Sequence, residues 1–338
     1  MEQDKMERLT EEIERQMEQH LFQGCVCGTI DKGPFAFGLQ ARHPKEIKMT
    51  PQSRFDIASV GKVFTASCCA IMHLQGKLDL DAPFTEYLPE HVLGKNCRIT
   101  VRALANHSSG FSNDEYHHET VTKPFEAFYN KKMQTLPIRE CGKSFEYCCF
   151  NFTLLGFILN RIMGKDLDAI ARELLWAPLG MTHTTWNEPG PGPFEVEHHS
   201  PDRPAGQHND TICREVNVPL GAGSAFSTYG DMLLFAKDMA EQTHFSKEYY
   251  KLLSTPTFQI DNPSAAGLIR RSFGWDMSDY RRPLSFSEHS IYHTGFTGQT
   301  IAIDCERGKA AVVLTSRTGD WELANQGRNR IIDCLVEG

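Results

Sequence analysis

Residues 55–64 read Phe55-Asp56-Ile57-Ala58-Ser59-Val60-Gly61-Lys62-Val63-Phe64. Residues 54–58 have the character of a short strand, and the apolar spacing after Ser59 is that of a helix. A lysine three positions beyond the serine puts both side chains on one helical face, about one turn apart. An alkyl hydroxyl is a poor nucleophile near neutral pH and needs an adjacent base. Lysine can be that base only if burial or a nearby cation lowers its pKa and keeps it neutral. Val60, Val63, Phe64 and Ala66 supply an apolar setting for it. The plainer alternative makes Ser59 a helix cap and Lys62 a solvated first-turn residue. Ser-x-x-Lys arises by chance about once in a chain of this length, so the rest of the sequence must decide.

The chain has 338 residues, enough for a substantial core in one large domain or two. Its 40% hydrophobic and 23% charged content is that of a soluble globular protein. A net charge of −8, with no basic stripe, argues against nucleic acid or an anionic membrane as partner. The first 19 residues are charged and helix-periodic, with Met6, Leu9, Ile13 and Met17 on one side; this is not a secretory signal. No apolar run approaches the roughly 20 residues of a bilayer span, so a cytoplasmic protein is expected. The 11 cysteines are odd in number, include the adjacent pairs Cys68-Cys69 and Cys148-Cys149, and form no Cys-x-x-Cys. Neither a disulfide framework nor a structural zinc site is expected, and most thiols read as small buried groups.

Outward from Ser59, strands are expected at 25–30 and 35–39 around the turn Asp31-Lys32-Gly33-Pro34. The Ser59 helix runs to Gln75 and stops at Gly76. Helices follow at 101–106 behind the cap Thr100, at 124–133, at 151–163 closed by Gly164, and at 166–176. Residues 187–219, rich in Pro, Gly and His, read as a long surface loop. Further helices are expected from Ser227 or Thr228 to about Ala240, at 246–253 and at 321–336, with extended segments at 272–277, 299–304 and 310–316. Strands at both ends with helices between imply an α+β fold: an antiparallel sheet built from both termini, flanked by helices, with a mostly helical region inserted mid-chain. The expectation is a single catalytic domain over 1–338, its sheet part at about 1–64 and 241–338 and its helical part at about 65–240.

Three further patterns accompany Ser59-Val60-Gly61-Lys62. They are Leu104-Ala105-Asn106-His107-Ser108-Ser109-Gly110-Phe111, then Phe145-Glu146-Tyr147-Cys148-Cys149-Phe150-Asn151, then His293-Thr294-Gly295-Phe296-Thr297-Gly298. Together, in this order and spacing, they resemble the serine β-lactamase and penicillin-binding-protein superfamily, in the branch holding class C β-lactamases, D-alanyl-D-alanine peptidases and related esterases. The resemblance runs from about Phe22 to the last helix.

The resemblance implies that Ser59 is the nucleophile that becomes acylated, with Lys62 and Tyr147 sharing the proton traffic. It implies an oxyanion hole from the backbone N–H groups of Ser59 and Phe296. His293, Thr294 and Gly295 would line the site on an edge strand, with Cys149 facing the substrate. A phenol with a pKa near 10 can serve only if cations lower it or it works in concert with the amine. His107, Ser108 and Ser109 read as structural, since they lack the leading glycine of a nucleophile elbow. The pairs His117-His118 and His198-His199 read as solvated loops rather than a metal site, because adjacent residues do not share a helix face.

Two departures from the family pattern bear on substrate. Cys149 stands where β-lactamases and peptidases of the superfamily carry asparagine, and a thiol cannot replace a carboxamide's paired donor and acceptor. His293 stands where most β-lactamases carry lysine, which weakens the fixed positive charge near pH 7. Both favour esters or small amides over β-lactams. The expected activity is a serine hydrolase cleaving a small-molecule ester, amide or short peptide through a Ser59 acyl-enzyme, with no cofactor or metal. A β-lactamase or D-alanyl-D-alanine carboxypeptidase, or an acyltransferase using the same acyl-enzyme, is the alternative. A non-catalytic ligand-binding relative would normally have lost Ser59, Lys62 or Tyr147, and all three stand.

Overall fold

The computed structural model describes residues 2–118, 123–197, 203–262, 264 and 267–337. Leu9 and Ile13, one turn apart, are the buried stripe of the first helix, α1 (Glu2–Glu18). Strands β1 (Phe22–Thr29) and β2 (Phe35–Ala41) form the expected hairpin. Its turn needs Gly33, at φ +101, because a Cβ there would come within 3.0 Å of the Cys27 carbonyl oxygen. Two short strands follow, β3 (Ile47–Lys48) and β4 (Arg54–Asp56).

The helical insertion comes next. It begins with α2 (Lys62–Leu74), buried on every side from Lys62 to Met72 and therefore a core helix rather than an amphipathic one. Phe64 in its first turn meets Trp176, Trp186 and Phe235 edge-on. Helix α3 (Val101–Ala105) starts where the Thr100 hydroxyl accepts the Ala103 N–H at 3.1 Å. After α4 (Asn113–His118) and α5 (Phe125–Lys132) comes α6 (Cys149–Met163), which packs against α2 and ends on left-handed Gly164. The Asp166 carboxylate caps α7 (Leu167–Ala171), which runs on into a π-turn, Arg172–Trp176. The last helix of this region is α8 (Thr211–Val216).

Strand β5 (Phe226–Thr228) leads through the Thr228 cap into α9 (Tyr229–Glu241), and the Ser246 cap opens α10 (Lys247–Ser254). A hairpin of β6 (Phe258–Asp261) and β7 (Leu268–Arg271) precedes β8 (Ile291–Thr294), β9 (Gln299–Asp304), β10 (Lys309–Arg317) and the final helix α11 (Trp321–Glu337).

The main sheet has the order β3-β2-β1-β10-β9-β8. The two chain ends meet at its centre, where β1 and β10 pair antiparallel from Cys25 opposite Thr315 to Thr29 opposite Ala311. Strand alternation sends Cys25, Cys27, Ala311 and Val313 to one face, against Leu9 and Ile13 of α1 and Ile331, Ile332 and Leu335 of α11. Val26, Val312 and Leu314 face the other way, into the larger core around α2, α6 and α9. The fold is thus α+β, as expected, with the sheet drawn from both termini and the helices inserted between.

Several local expectations are corrected. Residues 272–277 form no strand. The strand is β7, and the chain turns at Gly274 (φ +90), whose missing side chain lets α2 close in: a Cβ there would lie 2.3 Å from the Ala66 Cβ. Strand β4 pairs with β5 in a separate two-stranded ribbon rather than in the main sheet. The α-helix after Ser59 starts at Lys62, preceded by a 3-10 turn over Ala58–Gly61. Residues 187–219 are not simply a surface loop: they contain α8, and Val196, His208, Asn209 and Ile212 are buried. His117 and His118 lie on α4 rather than in a loop, with side chains outside the described residues, as is the His198-His199 pair. All 11 cysteines are free, eight of them buried. Among the described residues no helix is long and apolar enough to cross a membrane, and no cluster of His, Cys, Asp and Glu could hold a metal ion.

Candidate active site

Strand β4 delivers the chain to a tight turn that presents Ser59. The Asp56 carboxylate, buried and with its pKa raised by that burial, accepts the Ala58 N–H at 2.8 Å and the Asn209 N–H at 2.7 Å. Ala58 is thereby held at φ +43, an uncommon conformation for a residue with a Cβ. Gly223 packs against the outside of the turn, where a Cβ would come 2.9 Å from the Ala58 carbonyl oxygen and 3.2 Å from the Ser59 nitrogen. Ser59 is left half-buried on the wall of a cavity of about 610 Å³, within the size range of small-molecule sites.

Lys62 lies beneath that wall with no exposed surface. Its Nζ donates to Ser59 Oγ at 3.1 Å, to Cys149 Sγ at 3.4 Å and to the Ala222 carbonyl. Three acceptors match the three N–H donors of an ammonium. Burial pushes the lysine pKa down, but Cys149 and Tyr147, which favour the cation when they carry negative charge, bring it above the ordinary lysine value. The shift is opposite to the lowering that a neutral lysine base needs, and it favours the ammonium.

Tyr147 lies just before α6, and the Lys62 Nζ sits 5.1 Å from its ring centroid. Its Oη is buried and interacts with the Lys62 Nζ and the Ser59 hydroxyl. Burial raises the phenol above its ordinary pKa, against the pull of the Lys62 ammonium. His107, at φ +62, grips this segment. Its ring lies 4.6 Å from the Tyr147 ring, its carbonyl accepts the Glu146 N–H at 3.1 Å, and its Nδ1 accepts the Cys148 N–H at 3.1 Å. The Asn113 side chain accepts the Cys149 N–H at 2.9 Å at the start of α6.

The opposite wall is β8, the edge strand, with His293 and Thr294 at its end. The His293 Nδ1 sits 3.0 Å from the Thr294 carbonyl, so Nδ1 carries the proton, and the buried Nε2 has no hydrogen-bond partner among the described residues. Burial, then the charges of Arg271 and Lys62, hold this imidazole neutral with a pKa well below the usual histidine value. Gly295 just past the strand donates to the Gln299 carbonyl at 2.8 Å, and a Cβ on it would be 2.6 Å from the Ile57 carbonyl oxygen. The Phe296 carbonyl accepts Arg317 Nε at 2.6 Å while the guanidinium stacks on the Phe296 ring at 4.4 Å.

The structure thus brings Ser59, Tyr147, Cys149, His293, Thr294 and Phe296 around one cavity, with Lys62 beneath Ser59. An amine and a phenol within reach of one hydroxyl can exchange its proton between them. Sequence reasoning missed Arg271 and Asn113 in the same cavity, the Ala222 carbonyl on Lys62, and the grip of His107 on Tyr147. The one local signal was the unusual Asn106-His107-Ser108-Ser109-Gly110 run, whose partner lies some 40 residues on.

A family model described as Beta-lactamase matches residues 9–333. A β-lactamase of Providencia stuartii is 23% identical over 75% of this chain and 63% of the relative's length. A putative D-alanyl-D-alanine carboxypeptidase of Escherichia coli K12 is 25% identical over 80% of this chain and 70% of its own. Among solved structures, that of EstCE1, described as a hydrolase with promiscuous acyltransferase activity, superposes with a TM-score of 0.80 at 17% identity, covering 99% of each chain.

Proposed function

The chain belongs to the beta-lactamase family, whose chemistry is that of serine hydrolases working through an acyl-enzyme, and on that premise we propose that it hydrolyses esters or small amides through acylation of Ser59. The observation that carries this reading is the 3.1 Å contact of the buried Lys62 Nζ with Ser59 Oγ, on the wall of a cavity that also holds Tyr147. With Lys62 an ammonium and Tyr147 a phenol at rest, the pair must lose one proton before it can accept another. In that form Tyr147 Oη takes the Ser59 proton as Oγ attacks the carbonyl carbon, and Lys62 stabilises the negative charge. The backbone N–H groups of Ser59 and Phe296 receive the developing oxyanion. The proton then passes to the leaving alkoxide or amine, and water repeats the sequence to release the acid.

Neutral His293 and the thiol of Cys149, which already accepts from Lys62, favour esters over β-lactams. Acyl transfer to an alcohol or amine is the second reading; it is favoured by the likeness to EstCE1 and by a cavity with room for an acceptor. Labelling with a fluorophosphonate probe tests the assignment. We expect one adduct on Ser59, lost in Ser59→Ala; labelling that persists in the variant would move the nucleophile elsewhere. A parallel screen of a short-chain nitrophenyl ester, a chromogenic cephalosporin and a D-alanyl anilide would rank the substrate classes.

A further inference from the structure

Two thiols line the cavity that holds Ser59, Cys149 and Cys213, and their neighbours carry opposite charge. Burial, then the charge of the Asp210 carboxylate, holds the Cys213 thiol well above its ordinary pKa. Cys149 Sγ instead sits 3.4 Å from the Lys62 Nζ, in a residue 8% exposed at the start of α6. A neighbouring cation favours the thiolate, which is the nucleophilic form of the side chain. The attraction is mutual: against the burial that lowers it, Cys149 is foremost among the neighbours that raise the Lys62 pKa.

The cavity also suits a small polar oxidant. His293, a residue only 4% exposed, lines it, and its Nε2 has no hydrogen-bond partner among the described residues. A neutral imidazole nitrogen accepts an O–H, and a hydroperoxide is small enough to enter a cavity of about 610 Å³. Neighbouring thiols lack such a setting: burial raises the pKa of Cys68, Cys69 and Cys148, and they lie off the cavity wall. Cys149 Sγ and Ser59 Oγ share the Lys62 Nζ as their donor, so chemistry at one is felt at the other.

We infer that Cys149 is a peroxide-sensitive thiol whose oxidation to the sulfenic acid shuts off acylation of Ser59. In this step the thiolate Sγ attacks the distal oxygen of a hydroperoxide. An S–O bond forms as the O–O bond breaks; the sulfur is oxidised and the peroxide reduced to an alcohol or water. The proton lost on forming the thiolate returns on the leaving oxygen. The added oxygen occupies the cavity beside Ser59 and competes with Oγ for the Lys62 N–H groups. A thiol reverses the change: it displaces the hydroxyl as water to give a mixed disulfide, and a second thiol releases Cys149 reduced. The shut-off rests on the serine-hydrolase reading, whereas the oxidation itself does not.

Hydrogen peroxide, with dimedone to trap the sulfenic acid, tests this through peptide mass mapping and ester turnover. We expect the Cys149 adduct to form at least about tenfold faster than any on Cys213, the low end of a charge-assisted hydrogen bond. It should form slower by a similar factor in Lys62→Met than in Ser59→Ala, which keeps the cation. Turnover should fall as Cys149 is oxidised and return with dithiothreitol when dimedone is omitted. In Cys149→Ser it should hold at that variant's own untreated level. Adducts on Cys213, or on the half-buried Cys141, Cys305 and Cys334, ahead of Cys149 would overturn the inference. Equal rates with and without Lys62, or undiminished turnover in protein oxidised at Cys149, would do the same. Lys62-dependent trapping at Cys149 in a protein that cleaves no ester supports the reactive thiol and refutes the hydrolase reading alone.

Discussion

His107 holds Tyr147 in place from both flanks. Its carbonyl and its Nδ1 accept the N–H groups of the residues on either side of Tyr147, each at 3.1 Å, and its ring packs at a tilt against the phenol ring, 4.6 Å between centroids. This grip, packing and the attraction of Lys62 and Ser59 for Tyr147 Oη together set the position of the ring over Lys62.

Loosening the grip should cost turnover more than binding. His107→Leu is expected to lower kcat about 10- to 100-fold with a smaller change in KM, because small misplacements of a proton-transfer group are costly. His107→Asn should recover part of the loss: its Oδ1 can accept the Cys148 N–H, and Asn tolerates a positive φ. Steady-state kinetics on an ester decide this. Equal loss in both variants would reduce His107 to a packing residue.

Lys62→Ala and Tyr147→Phe should each lower ester turnover by at least about two orders of magnitude, and the double variant little further, since the two act as a unit. Both resting pKa values lie above their ordinary values. The proton-accepting form of the pair therefore grows as pH rises, so kcat/KM should climb from pH 7 into the alkaline range. No break is expected near pH 6.5, because His293 is already neutral there. A bell centred on neutral pH would contradict this assignment.

Three buried histidines should make the fold acid-sensitive. His91, between Phe84 and Phe111, has its pKa lowered to about 4 by burial, and His107 and His293 lie well below 6.5. Between about 6.5 and those lowered values, the unfolded chain binds protons that the native chain does not. Stability is therefore complete above about pH 6.5 and is lost as pH falls, by at most about 1.4 kcal/mol per pH unit for each histidine. Urea midpoints measured from pH 7.5 to 5 should fall, and less steeply in His91→Asn, which retains an acceptor for the Leu93 N–H.

Cys149→Asn would restore a carboxamide where the thiol now accepts from Lys62. We expect the ratio of cephalosporin to ester turnover to rise. A fall would show that Sγ is not what disfavours β-lactams.

Much of this was written locally in the chain. The one-turn contact of Lys62 with Ser59 and the Thr100 and Gly164 caps depend on neighbours within a few residues and form as their spacing implies, whereas the strand that ends at His293 and Thr294, with Gly295 just past it, was implied by the family resemblance. What escaped depends on contacts distant in sequence or on backbone direction. Phe273, Trp275 and Met277 alternate like a strand, and all three are buried, yet the chain turns among them at Gly274. Arg271 beside Asp276 looks like surface charge until burial leaves two of its nitrogens unmet. The upward pKa shift of Lys62 was not legible either: its apolar neighbours favour an amine, whereas the Ala222 carbonyl, 160 residues away, completes a set of acceptors that suits an ammonium.

The pairing of β1 with β10 also orders events during synthesis. A nascent chain emerging from the ribosome carries Ser59 and Lys62 early, but the centre of its sheet stays open until residues 309–317 follow. The strand end at His293 and the loop at Phe296 also arrive only with the last sixth of the protein. Partial translation products would thus hold Ser59 and Lys62 without the opposite wall, and the cavity would be complete only after the closing strand has docked.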